Sequence, residues 1–351
     1  MRHRYLGLSI SMCLLAAISA AILFAGQGQA PPKPAPAAPK PGALPKPGPA
    51  PKTAWGEPDL QGTWFVMEAV PLERSQQNAN KPFLTDEEVA AADRDKALNP
   101  GRNARSENSS ADVTGAYNAV FNSVLKTSKR TSMITDPSDG RIPPLTPEAQ
   151  QRQGRGGRGG GGAPGGRGGG NVNDNPETVA QSPRCLGVQM PFLPLNTAFA
   201  QGTVMQIVQG PKSMGIYMED DHAGGGNRVI HMDGRPHPPA TVRSVLGESR
   251  GRWEGNTLVV ESRNFAQGFR GSNPSTYRMI ERFTRVDANN LKREITFDDP
   301  QTWTRPWTIL IEMGKTDDRR HMIFESACHE GNYGMTGILI GSRKEEQATK
   351  K

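Results

Sequence analysis

Tyr277–Phe297 reads YRMIERFTRVDANNLKREITF, and the next apolar stretch, Trp303–Ile311, reads WTRPWTILI. Strand side chains alternate sides, so each segment can be read with a period of two. In the first, Tyr277, Met279, Glu281 and Phe283 share a face, and Leu291, Arg293, Ile295 and Phe297 answer them across the turn Asp287–Asn290. In the second, Trp303, Arg305, Trp307, Ile309 and Ile311 line up against Thr304, Pro306, Thr308 and Leu310. The expected inward face therefore carries Glu281, Arg293 and Arg305 among large apolar side chains. A buried charge is costly unless it is paired or meets a ligand. The pattern predicts a β interior that is either laced by ion pairs or built to hold a polar molecule.

Outward from this hairpin the chain continues as short strands. Val204–Val208, Met214–Met218, Arg228–Met232 and Thr257–Ser262 are β runs, Trp253–Asn256 is a turn, and His321–Cys328 is a last strand. Ala54–Met67 gives a first strand opening on Gly62-Thr63-Trp64, and Arg130–Asp136 gives another, closed by the turn signal DPSDGRIPP. Thr85 with Glu88 three residues on forms a capping box for a short helix to about Leu98. About nine strands joined mainly by short turns predict a mainly β fold: a single antiparallel meander barrel or a sandwich, with a short N-terminal helix and long loops.

Residues 1–30 read as a signal peptide: Arg2, His3 and Arg4 precede an apolar run from Leu6 to Ala25, and small residues stand near Ala30. An uncleaved anchor is the competing reading. Residues 31–52 are a Pro/Ala/Lys linker, extended and unable to bury a core. A single domain is expected over 53–343, with a flexible Gly/Arg-rich insertion at 154–170 and a polar tail at 344–351. The predicted location is periplasmic or secreted. The net charge of +7 falls to +5 once Arg2 and Arg4 leave, and most of the rest lies in the linker, the insertion and the tail. The folded part is near neutral, which speaks against a nucleic-acid partner, and no membrane contact is expected beyond the signal segment. Cys185 and Cys328 remain after processing, as a disulfide or as two buried thiols.

Three constellations bear on chemistry. His231, Asp233 and His237 fall in HMDGRPHPP, where carboxylates beside imidazoles suit acid–base work. Their spacing matches no zinc pattern, so neither a metal nor another cofactor is expected. The plainer reading makes them turn residues bonding their own backbone. Cys328 and His329 would point to opposite sides of a strand and form no dyad. Trp303, Arg305 and Trp307, with Glu281 and Arg293 as an orienting pair, are the candidate wall for a small-molecule ligand of aromatic or sugar-acid type. The alternative gives those charges a purely structural role.

The segments GEPDLQGTW, TSMITDPSDGRIPPLTPEAQ, HMDGRPHPP, LGESRGRWEGNTLVVESRNF, MIERFTRVD, TFDDPQTWTRPWT and ACHEGN resemble a family of uncharacterised secreted bacterial proteins. That resemblance implies export and a common fold, and brings no reaction, cofactor or catalytic residue. Gly62-Thr63-Trp64 also resembles the Gly-x-Trp opening of lipocalin-like (calycin) barrels, in which the Trp packs across the barrel floor. Three functions follow as expectations: binding of a small organic ligand in a polar-lined β interior, a secreted hydrolase or lyase using His231 or His237 with Asp233, and an envelope structural protein. The oligomeric state is left open.

Overall fold

The structure is a computed structural model that describes residues 49–98, 125–155, 175–179, 183–186, 190–191, 193–194, 204–218, 226–316, 323 and 327–349. The signal and linker through residue 48, most of the Gly/Arg tract and most of the segment 321–326 lie outside the described residues. The strands are β1 (Gly62–Val66), β2 (Glu68–Ala69), β3 (Lys126–Thr127), β4 (Ile134–Asp136), β5 (Val204–Gln209), β6 (Ser213–Met218) and β7 (Gly226–His231). They continue as β8 (Glu248–Glu254), β9 (Thr257–Arg263), β10 (Arg278–Arg285), β11 (Asn290–Asp298) and β12 (Trp307–Lys315). Among the described residues three α-helices accompany them: α1 (Asp86–Leu98), α2 (Pro147–Arg155) and α3 (Gly334–Thr349).

The fold is mainly β. Strands β1 and β5 to β12 follow one another around a ring that closes through β1–β12 pairing, giving a nine-stranded barrel. The long hairpin is in register from Arg278 opposite Asp298 to Arg285 opposite Leu291, so its two apolar faces meet on one side. Met279, Phe283, Leu291, Ile295, Phe297, Trp307, Ile309 and Ile311 are buried, as the alternation predicts. The core continues through Met205, Ile207, Met214, Ile216 and Ile230 on the far strands. Strand β4 pairs with the first part of β12, on the edge whose last part takes β1.

The ring departs from a pure antiparallel meander at one place. β7 and β8 run parallel, with Ile230 opposite Ser249 and His231 opposite Arg250. β8 itself is not apparent in the sequence, because ESRGRWE alternates charges around Gly251. That glycine is required by packing: a Cβ there would lie 2.8 Å from Cγ2 of Ile230.

At one end of the hairpin, Trp64 is wholly buried and donates from Nε1 to Leu60 O at 2.9 Å. The Arg285 guanidinium lies over its ring at 4.9 Å and donates to the Asp287 and Ala288 carbonyls. Around α1, the Glu88 carboxylate accepts from Thr85 N at 2.8 Å and Glu88 N donates to Thr85 Oγ1 at 3.3 Å, completing the capping box. The C-terminal helix α3 runs on from the expected domain into the polar tail, so residues 344–349 are helical. Cys185 and Cys328 form a disulfide with Cα atoms 5.6 Å apart. Among the described residues no helix is long and apolar enough to cross a membrane.

Candidate functional site

The charged face predicted inside the barrel is present, and it is wider than the hairpin alone suggests. Glu281 on β10 is fully buried, and Arg293 on β11 sits one residue pair away diagonally, since Glu281 opposes Ile295 and Phe283 opposes Arg293. Arg293 donates from Nε and Nη2 to Glu281 Oε1 at 2.9 and 2.7 Å. The other carboxylate oxygen meets Nη1 of Arg228, from β7, at 2.5 Å. Arg228 also donates to Ser249 Oγ and Ser262 Oγ, each at 2.8 Å, and the two hydroxyls lie 2.9 Å apart. Five neighbouring strands thus each contribute one polar side chain to a continuous belt. Burial pushes the Glu281 carboxyl up, but the charges and hydrogen bonds of Arg228 and Arg293 outweigh it and hold the pKa below the usual range.

Arg228, Ser249 and Ser262 were not singled out by the sequence reading. The same period-two rule locates two of them, because Arg228 precedes Ile230 and Ser262 follows Leu258 and Val260 on inward positions, whereas Ser249 lies on β8, which has no such pattern. What the rule could not supply is that Arg228 reaches past two strands to Glu281.

Trp303 and Trp307 are buried, edge to face with centroids 5.5 Å apart, and Trp307 stacks on Phe297 at 4.0 Å. Their faces are occupied by one another and by the core. Two buried donors in this cluster, the Tyr277 hydroxyl and Trp307 Nε1, meet no acceptor among the described residues. Burial first, then the charges of Glu281 and Asp299, raises the Tyr277 phenol well above its ordinary pKa.

Arg305 requires a correction. It lies on the outside, about half exposed, and donates to Asp136 Oδ1 at 2.6 Å. β12 begins only at Trp307, and Thr304–Pro306 form a bend, so strand alternation does not carry through from Trp303. Pro306 has no N–H to give a ladder, which places the break there. Cys328 and His329 also require one: residues 328–330 form a turn, so the two are not on a strand.

The residues expected to do acid–base work do gather, on the outer surface beside the parallel pair. Arg235 donates to Asp233 Oδ2 at 2.7 Å, and Arg250 Nη1 donates to Asp233 Oδ1 at 3.0 Å. Arg250 Nε lies 2.5 Å from Glu248 Oε1, and the other oxygen of Glu248 pairs with His237 Nδ1. His231 faces Arg250 across the strands. The hydrogen bonds from Arg235 hold Asp233 down at about 2. β8 and β12 are four places apart in a ring of nine, so Arg305 stands on the other side of the barrel from this cluster. Among the described residues no group of three or more His, Cys, Asp or Glu side chains is placed to hold a metal.

A pocket opens elsewhere, on the outer face of β11 and β12 under the stretch Val66–Val70. Its volume is about 340 Å³, and its walls include Met67, Val70, Met133, Leu310 and Met313. Met67 lies against the backbone of Gly314, where a Cβ would stand 2.5 Å from its Sδ. Arg130 forms the polar end. Its Nη1 donates to Leu310 O at 3.0 Å and its Nη2 lies 3.5 Å from Glu312 Oε2. Its Nε–H is shielded from solvent and meets no acceptor among the described residues. Burial lowers the Arg130 pKa, opposed by Glu312 and Glu68. The sequence carries no local signal for this pocket, because its walls come from five separated segments.

No protein-family model, curated protein or solved structure matches the chain.

Proposed function

We propose that the protein binds a small organic molecule, and that the molecule occupies the pocket between Val66–Val70 and the outer face of β11–β12 rather than the barrel interior. The observation that carries this reading is a pocket of about 340 Å³ with mostly apolar walls and the Arg130 side chain at one end. Small-molecule sites are typically concave, mostly apolar and supplied with a few polar groups that fix orientation. The interior wall supports binding less well, since Glu281, Arg228 and Arg293 satisfy one another and the two tryptophans are packed together.

Native mass spectrometry of protein recovered from its own cells, followed by denaturation, tests the reading. A stoichiometric small molecule is expected on the wild type and not on Leu310→Trp, which fills the pocket. An adduct retained by Leu310→Trp places binding elsewhere and ends the proposal for this pocket.

The contact between His237 and Glu248 favours a second reading, a hydrolase or lyase, because a carboxylate on Nδ1 leaves Nε2 as the basic nitrogen. Turnover of any ester or glycoside substrate that is lost in His237→Ala, and kept in Leu310→Trp, would select it.

A further inference from the structure

A second face of the barrel differs in kind from the rest of its wall. The outward side chains of β5, β6 and β7 are Val204, Gln206 and Val208, then Ser213 and Tyr217 around Gly215, then Asn227, Val229 and His231. Not one is Lys, Arg, Asp or Glu, and the charged residue of these strands, Arg228, is buried on the inner face. The outer wall of β8 to β10 is the opposite, laced with pairs such as Arg252–Glu254–Arg282 and Arg263–Glu261. Solvated surfaces are ordinarily rich in charge, whereas the centres of binding faces are depleted of it. We infer that the face of β5 to β7 binds a neutral oligosaccharide. None of its residues lines the pocket described above, so the inference is independent of that reading.

Strand register arranges the face in rows. Val208 lies opposite Gly215, and Gly215 opposite Val229. Both valines are more than half exposed, and a Cβ on Gly215 would meet no atom within 4 Å. The row is therefore an apolar strip about 10 Å long, at about 4.8 Å per strand, with a shallow dip at its centre. On one side of it Gln206, Tyr217 and Asn227 are register partners, and on the other Ser213 is opposite His231. Amides, hydroxyls and the neutral form of imidazole both donate and accept hydrogen bonds. A sugar ring has the same division, with aliphatic C–H faces and a rim of hydroxyls that donate and accept. Laid along the strip, a short run of rings sets C–H groups on the valines and hydroxyls over the two polar rows.

Size argues against a protein partner. Three strands of six residues present about 14 by 20 Å, roughly 300 Å², at the spacing and rise of a β-sheet. A standard protein interface takes about 800 Å² from each partner. Charge argues against an acidic polysaccharide, which would find no cation on these strands to meet it.

Isothermal titration with cellohexaose, xylohexaose, mannohexaose and maltohexaose tests the class, with hexagalacturonate as the acidic counterpart. Wild type is expected to bind at least one neutral hexaose with a Kd of about 1 mM or tighter, and hexagalacturonate at least about tenfold more weakly. Val229→Glu adds a charge at an exposed position, and Gln206→Ala combined with Asn227→Ala removes two amides. Each variant should weaken the neutral hexaose at least about tenfold with the melting temperature unchanged, while Leu310→Trp binds it as the wild type does. Failure of all the neutral sugars to bind, hexagalacturonate binding as tightly, or full affinity retained in either variant would overturn the inference. A wild-type dimer in analytical ultracentrifugation that Val229→Glu dissociates would also overturn it, by giving the face to a second copy of the chain.

Discussion

Replacing Glu281 by Gln should be among the most damaging isosteric changes available to this protein. The carboxylate is fully buried and neutralises two guanidinium groups whose side chains are only 4% and 3% exposed, those of Arg228 and Arg293. Glutamine keeps an oxygen for one arginine but removes the charge both rely on. Breaking a buried ion pair by deleting one partner costs about 3–5 kcal/mol, because the remaining charge stays desolvated. Taking about 4 kcal/mol and roughly 2–4 °C per kcal/mol for a domain of this size, the melting temperature should fall by about 8–16 °C. Calorimetry with urea unfolding at neutral pH measures both quantities. The companion is Arg228→Met with Glu281→Leu and Arg293→Met, which removes all three charges together and should recover most of the loss. Because the folded pKa of Glu281 is lowered, its stabilisation is complete above the ordinary carboxylate value of about 4.3 and is lost as pH falls through the folded value. Glu281→Gln should therefore also flatten the acid limb of the stability curve. A loss below about 1 kcal/mol, the scale of an exposed pair, would show that the belt is solvated and refute the reasoning.

Other perturbations probe separate parts of the molecule. Cys328→Ser opens a link spanning 143 residues, for which chain entropy gives about 5 kcal/mol as an upper figure, so a lower urea midpoint is expected in oxidised samples and no difference in reduced ones. Gly247→Ala would place a Cβ 2.6 Å from Phe265 and 2.8 Å from Arg263 O at a φ of +68°, and should cost more than about 1 kcal/mol, which thermal unfolding would register. Asp233, held at about 2 by Arg235, should lose its charge only below the usual carboxylate range. Carboxyl-detected NMR titration of Arg235→Ala should show that pKa moving up, and an unmoved pKa would assign the shift to Arg250 instead.

The barrel's inner face was legible wherever strands alternate cleanly. Met279 to Phe283 and Leu291 to Phe297 could be placed from sequence because a one-residue slip would turn every apolar side chain outward. Arg305 was misplaced by the same rule, because alternation holds only within an unbroken strand and Pro306 interrupts this one. β8 was overlooked because its outward side chains are charged and Gly251 leaves a gap in its inward face, so neither face has an apolar stripe. The contacts that build the candidate pocket are long-range. Arg130 and Leu310 are 180 residues apart, and no spacing or motif connects them.

The parallel pairing of β7 with β8 follows from parity. Each antiparallel neighbour reverses direction, and a closed circuit must return to the direction in which it began. A ring of nine strands can therefore hold eight antiparallel pairs but not nine, and at least one pair must be parallel. Two parallel strands cannot be joined by a tight hairpin; the chain must travel back along the wall before re-entering. Here that return is the stretch from Met232 to Gly247, which brings Asp233, Arg235 and His237 to the outside. Trimming it to hairpin length would forbid closure, whereas adding or deleting one whole strand would make the count even and remove the need for it.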